Sequence, residues 1–247
     1  MASLTDAAVE QIKAMIVRGE LRPGDRLPAE HVLADQLGLS RGSLREAIRA
    51  LSVMKVIDVR RGDGTYVTSL APELLLEAIN FVVDLHRDET VMHFLQLRSF
   101  VEPECCAMAA LHIDADTLAW LAVLLEDADA LARAEVVDHA QLMVNDQQFH
   151  AVLNAAGGNP VAAAIVEATA GITTRARVTR SMVEIGAELT TVDDHQAIFA
   201  AVAAGDPYRA RQRAAAHIAR TEDWVRAQLA SEYAAGATTE PGEILLS

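Results

Sequence analysis

The feature that most constrains the fold is the continuous run of helical patterns from Ala71 to about Tyr233. Apolar residues recur at helical spacing, and glycines, prolines and N-cap residues divide the run into segments. The segments predict a helix at residues 70–86 and six more helices at Thr90–Leu111, Asp114–Ala134, Val136–Ala156, Val161 to about Arg180, Thr191–Ala204 and Asp206 to about Tyr233. Such helices bury their apolar faces against one another, so we expect an antiparallel helical bundle.

The first seventy residues carry a different pattern. Helical spacing covers Thr5–Arg18 and the short segment His31–Leu37, which Gly38 closes, and Ser40 is a good N-cap for a third helix. Two alternating stretches, VIDV and TYV, then flank RRGDG, which is typical of a hairpin with glycine at its turn. A short helix, a tight turn and a second helix predict a helix-turn-helix, and the hairpin makes it winged.

Charge separates the same two regions. Residues 1–70 hold ten of the 21 Lys and Arg but only nine of the 35 Asp and Glu, in a chain with a formal charge of −14. The acidic remainder repels polyanions, so any nucleic-acid contact must come from the first region. We therefore predict a mostly α protein with a winged helix-turn-helix domain at 1–70, an antiparallel helical bundle at 71–235 and a mobile tail at 236–247.

Composition excludes several classes of protein. No apolar run approaches the roughly 20 residues that a membrane helix needs, and the N-terminal stretch lacks the layout of a signal peptide. We expect a cytoplasmic protein with no membrane partner. The two cysteines, Cys105 and Cys106, are too few for a cysteine-built zinc site and are expected to pack as small apolar residues.

The third helix carries an arginine stripe, which we define as Arg41, Arg45 and Arg49. A step of four residues advances only about 40° around a helix, so the three side chains share one side. Leu44 and Leu51 fall on the opposite, apolar side. The stripe fits either an ordinary solvated helix face or a helix that enters the DNA major groove, where arginine binds guanine edges and phosphates.

These elements together resemble the DNA-binding domain of the GntR family of bacterial regulators. The segments P-G-D-x-L-P, L-A-x-x-L-G-x-S-R, R-E-A-x-x-x-L and G-x-G-T-x-V occur in order over residues 5–68. The family usually has arginine where this chain has His31, which puts one DNA contact in question. The resemblance implies DNA contacts, through the third helix, the segment before it and the wing, by Arg26, His31, Ser40, Arg41, Ser43, Arg45, Arg49, Arg60, Arg61 and Gly62.

Polar residues at helical positions of the second region predict a metal site. Asp146 and His150 lie four residues apart on one predicted helix and so project from the same face. His195 and His217 lie on two later helices among apolar neighbours. One carboxylate and three imidazoles suit Zn²⁺ or another borderline metal such as Ni²⁺. The alternative is that these are ordinary core or surface histidines.

The order of these residues is similar to the ligand-binding (FCD) domain of the FadR-type branch of the same family. That resemblance implies an all-helical domain in which Asp146, His150, His195 and His217 hold a metal. It also implies that Arg98 faces the cavity of an acidic effector, although an ion pair with Glu102 is an alternative. Arg175 and Arg177 are further candidates for the cavity wall, while four histidines match no such position: His86, His93, His112 and His139.

The resulting hypothesis is a transcriptional regulator, acting as a repressor and not as an enzyme. A homodimer would bind an inverted-repeat operator, and a small organic acid or sugar acid at the metal would modulate that binding. Two alternatives stay open. In a metal sensor the metal itself is the signal, and in a metalloenzyme the Asp/His₃ set activates water. The sequence contains no motif that places a general base or a nucleophile for the enzyme.

Overall fold

The computed structural model describes residues 4–72, 74 and 89–234 of the 247-residue chain. Most of the helix predicted at 70–86 and the tail predicted at 236–247 lie outside the described residues.

The chain divides into two compact units, Met1–Leu75 and Leu76–Ser247. In the parts of the chain that the structure describes there are nine helices and one two-stranded sheet, so the prediction of a mostly helical fold is confirmed. None of these helices is long and apolar enough to cross a membrane.

The first unit is a helix-turn-helix followed by a hairpin. Its elements are α1 (Leu4–Val17), α2 (Glu30–Leu37), α3 (Arg41–Val53), β1 (Ile57–Arg60) and β2 (Gly64–Val67). The strands pair antiparallel with Ile57 opposite Val67, and both side chains join the core. Leu44, Ile48 and Leu51 of α3 are buried in that core, so the opposite side of α3 is left to solvent.

Two glycines shape the turn of the hairpin. Gly62 adopts a φ of 78°, which a side chain rarely tolerates. A Cβ atom at Gly64 would stand 2.5 Å from Nε of Arg26, so glycine there allows the guanidinium to cross the strand. Arg26 donates a short hydrogen bond to the carbonyl of Asp63 and thereby ties the segment before α2 to the hairpin.

The second unit contains only helices among its described residues. They are α4 (Glu89–His112), α5 (Ala115–Ala132), α6 (His139–Ala156), α7 (Pro160–Val183), α8 (Ala187–Ala203) and α9 (Pro207–Ala234). Leu121, Phe149, Leu153 and Ile198 are almost completely buried at the centre of the largest apolar cluster. The cluster therefore joins α5, α6 and α8, and it positions one face of α6 toward the interior.

Two helix starts differ by more than one residue from those predicted. Helix α6 begins at His139 and not at Val136, because the Asp138 side chain accepts the Gln141 backbone N–H at 3.0 Å and caps the helix there. Helix α8 begins at Ala187, four residues before Thr191, because Gly186 adopts a φ of 81° and forms the boundary.

Candidate metal centre and nucleic-acid interface

Three histidines from three different helices meet inside the second unit. His150 of α6, His195 of α8 and His217 of α9 are 5%, 2% and 3% exposed. Each offers a ligand atom, and these atoms lie within 4.8 Å of one another. The structure thus brings together the three imidazoles that the sequence singled out.

The Nε2 atoms of these three histidines are buried, and among the residues that the structure describes they have no hydrogen-bond partner. A buried polar atom without a partner costs about 1–3 kcal/mol, so proteins rarely keep three of them side by side. A metal ion would accept all three lone pairs. The cluster therefore fits a divalent transition metal. The three histidines, with the buried Asp146 beside them, have the donor atoms to bind one.

Asp146 supplies the carboxylate of the cluster from one turn earlier on α6. Its Oδ1 lies 3.8 Å from Nε2 of His150 and 3.7 Å from Nε2 of His195. Arg177 of α7 donates hydrogen bonds to both oxygens of the same carboxylate, from Nε to Oδ1 at 3.1 Å and from Nη2 to Oδ2 at 2.5 Å. Burial alone would raise the pKa of Asp146, but the charge and hydrogen bonds of Arg177, together with contributions from the neighbouring imidazoles, hold that pKa well below the usual range.

Glu102 of α4 orients His150, a role that the sequence reasoning missed. Its Oε1 makes a short contact with Nδ1 of His150, and its side chain is buried. Because a carboxylate only accepts hydrogen bonds, Nδ1 carries the proton and Nε2 presents its lone pair to the cluster. The one available sequence signal was the spacing of four residues between Glu102 and Arg98.

Arg98 forms the ion pair with Glu102 that the sequence left open as the alternative to an effector contact. Its Nε and Nη2 donate to the two carboxylate oxygens of Glu102 at 2.8 and 2.9 Å, and its Nη1 donates to Thr173. The residue is 1% exposed. Burial tends to raise the pKa of Glu102, but the charge of Arg98 and the hydrogen bonds from Arg98 and His150 keep that pKa well below the usual value. Arg98 therefore supports the orientation of His150 through Glu102.

Asp194 has the corresponding position beside His217. The Nδ1 of His217 lies 3.4 Å from Oδ2 of Asp194, and Arg220 donates to Oδ1 of the same carboxylate at 2.9 Å. This contact favours a proton on Nδ1 and a free lone pair on Nε2. Two of the three histidines thus have a carboxylate behind the ring, the arrangement that commonly orients metal-binding imidazoles.

The third imidazole is held by packing. The His195 ring stacks on Phe149, with centroids 4.3 Å apart and planes 18° from parallel. Burial, followed by the neighbouring imidazoles, lowers the pKa of His195 well below its usual value, and burial also lowers the pKa of His217. Both rings are therefore neutral near pH 7, the form that binds metal.

The depressed histidine pKa values predict acid sensitivity of the metal-free protein. Unfolded histidine titrates near pH 6.5, so below that pH the unfolded chain binds more protons than the folded one. Each of His195 and His217 should therefore cost up to about 1.4 kcal/mol per pH unit as the pH falls from 6.5 toward the folded pKa. Urea unfolding with chelator at pH 7.0, 6.0 and 5.0 measures this. A free energy of unfolding that is constant over this range would contradict it.

A cavity adjoins the cluster between α6, α7 and α8. Its lining includes the polar side chains of Asp146, Arg177, Ser181, Glu188 and His195, together with several apolar side chains. Arg177 therefore faces the cavity, one of two candidates that the sequence did not rank. The side chain of Arg175 is not among the side chains that the structure describes.

The remaining histidines lie apart from the cluster. His139 Nδ1 lies 3.0 Å from the hydroxyl of Ser181, and His93 and His112 are exposed on α4. His86 falls outside the described residues.

The arginine stripe lies on the exposed side of α3. Ser40 caps the helix by accepting the Ser43 N–H at 3.0 Å, which leaves Arg41 in the first turn. Arg45 and Arg49 are 62% and 74% exposed and pair with Glu30 and Glu46. Exposed pairs of this kind contribute about 0–1 kcal/mol, so a phosphate or a base can replace the carboxylate at little cost.

The hairpin presents further basic groups. Arg60 pairs with Asp58 at 2.9 Å and lies over the Tyr66 ring, 4.3 Å from its centroid. Arg61 and Gly62 are exposed in the turn. Of the other predicted DNA contacts, His31 is exposed on α2, while Arg26 is exposed but tied to the hairpin through the carbonyl of Asp63.

Comparisons with known proteins match both units. The family model "Bacterial regulatory proteins, gntR family" matches residues 4–67, and the FCD domain model matches residues 93–220. The HTH-type transcriptional regulator LutR of Bacillus subtilis (strain 168) is 27% identical over 214 residues, which cover 85% of this chain and 95% of LutR.

Two further comparisons agree with these matches. The HTH-type transcriptional repressor NanR of Edwardsiella tarda (strain FL6-60) is 28% identical over 218 residues, or 87% of this chain and 82% of NanR. The solved structure of Streptococcus agalactiae GntR superposes with a TM-score of 0.65 at 22% identity, covers 89% of this chain and 99% of its own, and supports the fold. The chain thus belongs to the gntR family of bacterial regulatory proteins, as a DNA-binding transcriptional regulator with an FCD ligand-binding domain.

Proposed function

We propose that this regulator is a homodimeric repressor whose operator binding responds to a small organic acid held at a metal ion. The observation that carries the proposal is a group of three buried Nε2 atoms that have no partner within the described part of the chain, in a protein that also has a winged helix-turn-helix. NanR is named a transcriptional repressor, and its similarity to this chain favours repression as the action of this protein. A regulator that binds operator DNA acts in the cytoplasm.

The metal would be held by Asp146, His150, His195 and His217. Zn²⁺ suits this donor set best, and Ni²⁺ is also compatible with it. When bound, the ion supplies a positive centre that attracts the carboxylate of an acid. Glu102 and Asp194 hold two of the imidazoles in the required orientation, and the cavity beside Asp146 gives the acid a place to bind.

Arg177 is the guanidinium that we assign to the effector carboxylate, in place of Arg98. Both arginines are paired with a carboxylate, but Arg177 lines the cavity while Arg98 is fully engaged by Glu102 and Thr173. When a metal ion shares the Asp146 carboxylate, the Arg177 guanidinium has less negative charge to neutralise. It can then bind an incoming carboxylate as a bidentate partner.

Regulation would work through a population shift. The acid can favour one arrangement of the dimer only as far as it binds that arrangement more tightly than the other. The test is a fluorescence-anisotropy titration of an inverted-repeat operator with metal-loaded protein, across a panel of hydroxy acids, sugar acids and dicarboxylates. The proposal expects an acid to change operator affinity in the presence of metal and to have no effect after chelation.

The same titration separates the alternatives. In a metal sensor, chelation alone changes operator affinity and no acid is required. A metalloenzyme would consume the acid, which chromatography of the mixture would detect. An operator affinity that responds neither to acids nor to metal would contradict the proposal.

The arginine stripe leads to a specific prediction for DNA binding. Arg41→Ala or Arg45→Ala should weaken operator binding by about 1–3 kcal/mol if the side chain contacts a base. Wild-type affinity should also fall steeply as salt rises, because phosphate contacts release counterions. Anisotropy titrations at two salt concentrations measure both effects.

Arg18→Ala is the matched control for this prediction. It removes one exposed, paired arginine from the end of α1, outside the arginine stripe and the wing. Wild-type operator affinity in both stripe variants would remove α3 as the recognition helix.

A further inference from the structure

The cavity beside the histidine cluster has two chemically different ends. Glu188 and His195 lie on one face of α8, seven residues apart, so about 10 Å of helix separates them. His195 belongs to the inner end, together with Asp146 and Arg177. Glu188 belongs to the outer end, in the first turn of α8, together with Ser181 of α7.

The inner end is suited to an anion. Its only carboxylate, among the lining side chains that the structure describes, is Asp146, which Arg177 already neutralises. A divalent ion bound to the histidines would therefore leave this end positive. The carboxylate of an acid effector would bind here.

Among the described lining side chains, those of the outer end offer hydrogen-bond acceptors only. The Ser181 hydroxyl donates to the carbonyl of Val178 at 2.8 Å, and the Thr191 hydroxyl donates to the carbonyl of Ala187 at 2.9 Å. Neither hydroxyl has a second proton to give to a ligand.

Glu188 adds an unneutralised charge to that end. It lines the cavity half-buried, and within the described residues its carboxylate has no ion pair or hydrogen bond. A ligand group that meets Glu188, Ser181 and Thr191 must therefore donate hydrogen bonds. A second carboxylate would instead be repelled by Glu188.

We infer that Glu188 selects the effector: the cavity takes an acid whose far end carries a hydroxyl or ammonium donor, and it rejects dicarboxylates. This inference rests on the proposed function, because it assumes that an acid binds with its carboxylate at the inner end. It narrows the effector to hydroxy acids, sugar acids or amino acids.

The test compares three four-carbon probes that differ only at the far end: 4-hydroxybutanoate, 4-aminobutanoate and succinate. Isothermal titration calorimetry with zinc-loaded, full-length protein measures each dissociation constant. We expect wild type to bind the hydroxy and amino acids at least about tenfold more tightly than succinate, as unit charges at short range in a partly buried site require. Glu188→Gln should bind succinate at least about tenfold more tightly than wild type does and should bind 4-aminobutanoate more weakly.

Glu184→Gln is the matched control. Glu184 lies four residues before Glu188 in the sequence, but it pairs with Arg180 at 2.7 Å and is not among the residues that line the cavity. Its variant should retain the wild-type ranking of the three probes. An unchanged ranking in Glu188→Gln, or tightest binding of succinate by wild type, would overturn the inference and leave the proposed function standing. Failure of the zinc-loaded wild type to bind any probe or any acid of the wider panel would overturn both.

Discussion

Glu102→Ala should lower the free energy of unfolding of the metal-free protein by about 3–5 kcal/mol, the usual cost of removing one partner from a buried ion pair. Glu102 is the only carboxylate that the described structure pairs with Arg98, and both side chains are at most 2% exposed. Without Glu102 the guanidinium keeps its charge in the interior, and His150 loses the acceptor of its Nδ1 proton. Urea unfolding with chelator present measures the loss.

A neighbouring carboxylate provides the comparison for this prediction. Glu104 lies two residues further along α4 and pairs with Arg211, but the two side chains are 58% and 42% exposed. Glu104→Ala should therefore cost about 0–1 kcal/mol. Glu102→Gln keeps the size of the side chain and should fall between the two alanine variants. Similar losses for Glu102→Ala and Glu104→Ala would show that the buried pair contributes little.

The winged helix-turn-helix was predictable because its signals are local. Ser40 as N-cap, the apolar face of α3 and the glycines of the hairpin each act within a few residues of their own position. The burial of Leu44 and Leu51 then determines which way the arginine stripe points. The helix pattern of the second unit was local for the same reason, although a glycine in the left-handed conformation moved the start of α8.

The sequence predicted which residues form the histidine cluster, but it did not predict which carboxylates hydrogen-bond to the histidine rings. Residue type and family resemblance singled out the three imidazoles and Asp146. Which carboxylate stands behind each ring depends on how whole helices pack, and Glu102 and His150 are 48 residues apart on helices α4 and α6. The same applies to Arg177 and Asp146, which are 31 residues apart. No spacing in the sequence reports such a pairing.

Arg98 illustrates how the sequence can leave two roles open. An arginine four residues before a glutamate on one helix fits both an internal ion pair and a cavity-facing anion site. The bidentate contact with Glu102 favours the first role. In the proposed function the effector carboxylate is therefore assigned to Arg177, whose partner Asp146 belongs to the proposed metal set. The metal and the effector would then be coupled through a single carboxylate.

Protein purified without chelator should contain about one divalent transition metal per chain, as four-ligand sites of this kind do. The metal binds only the folded state, so it should stabilise that state by about 2.7 kcal/mol at a free concentration one hundred times its dissociation constant. The physical reason is that three buried Nε2 atoms lack a partner among the described residues, and one ion would satisfy all of them at once. Elemental analysis and thermal unfolding with and without chelator measure occupancy and stabilisation.

Variants of the cluster complete this test. His195→Ala should lower metal content and abolish most of the chelator-sensitive stabilisation, since it removes one imidazole and the stacking contact with Phe149. His93→Ala removes an exposed histidine of α4 and should leave both quantities at wild-type values. The double variant His150→Ala and His195→Ala should retain no metal. The two remaining donors, Asp146 and His217, would bind the ion too weakly to compete with water and buffer ligands. Full occupancy in that double variant would mean that the metal binds elsewhere, and the acid effector would then have no positive centre at the inner end of the cavity.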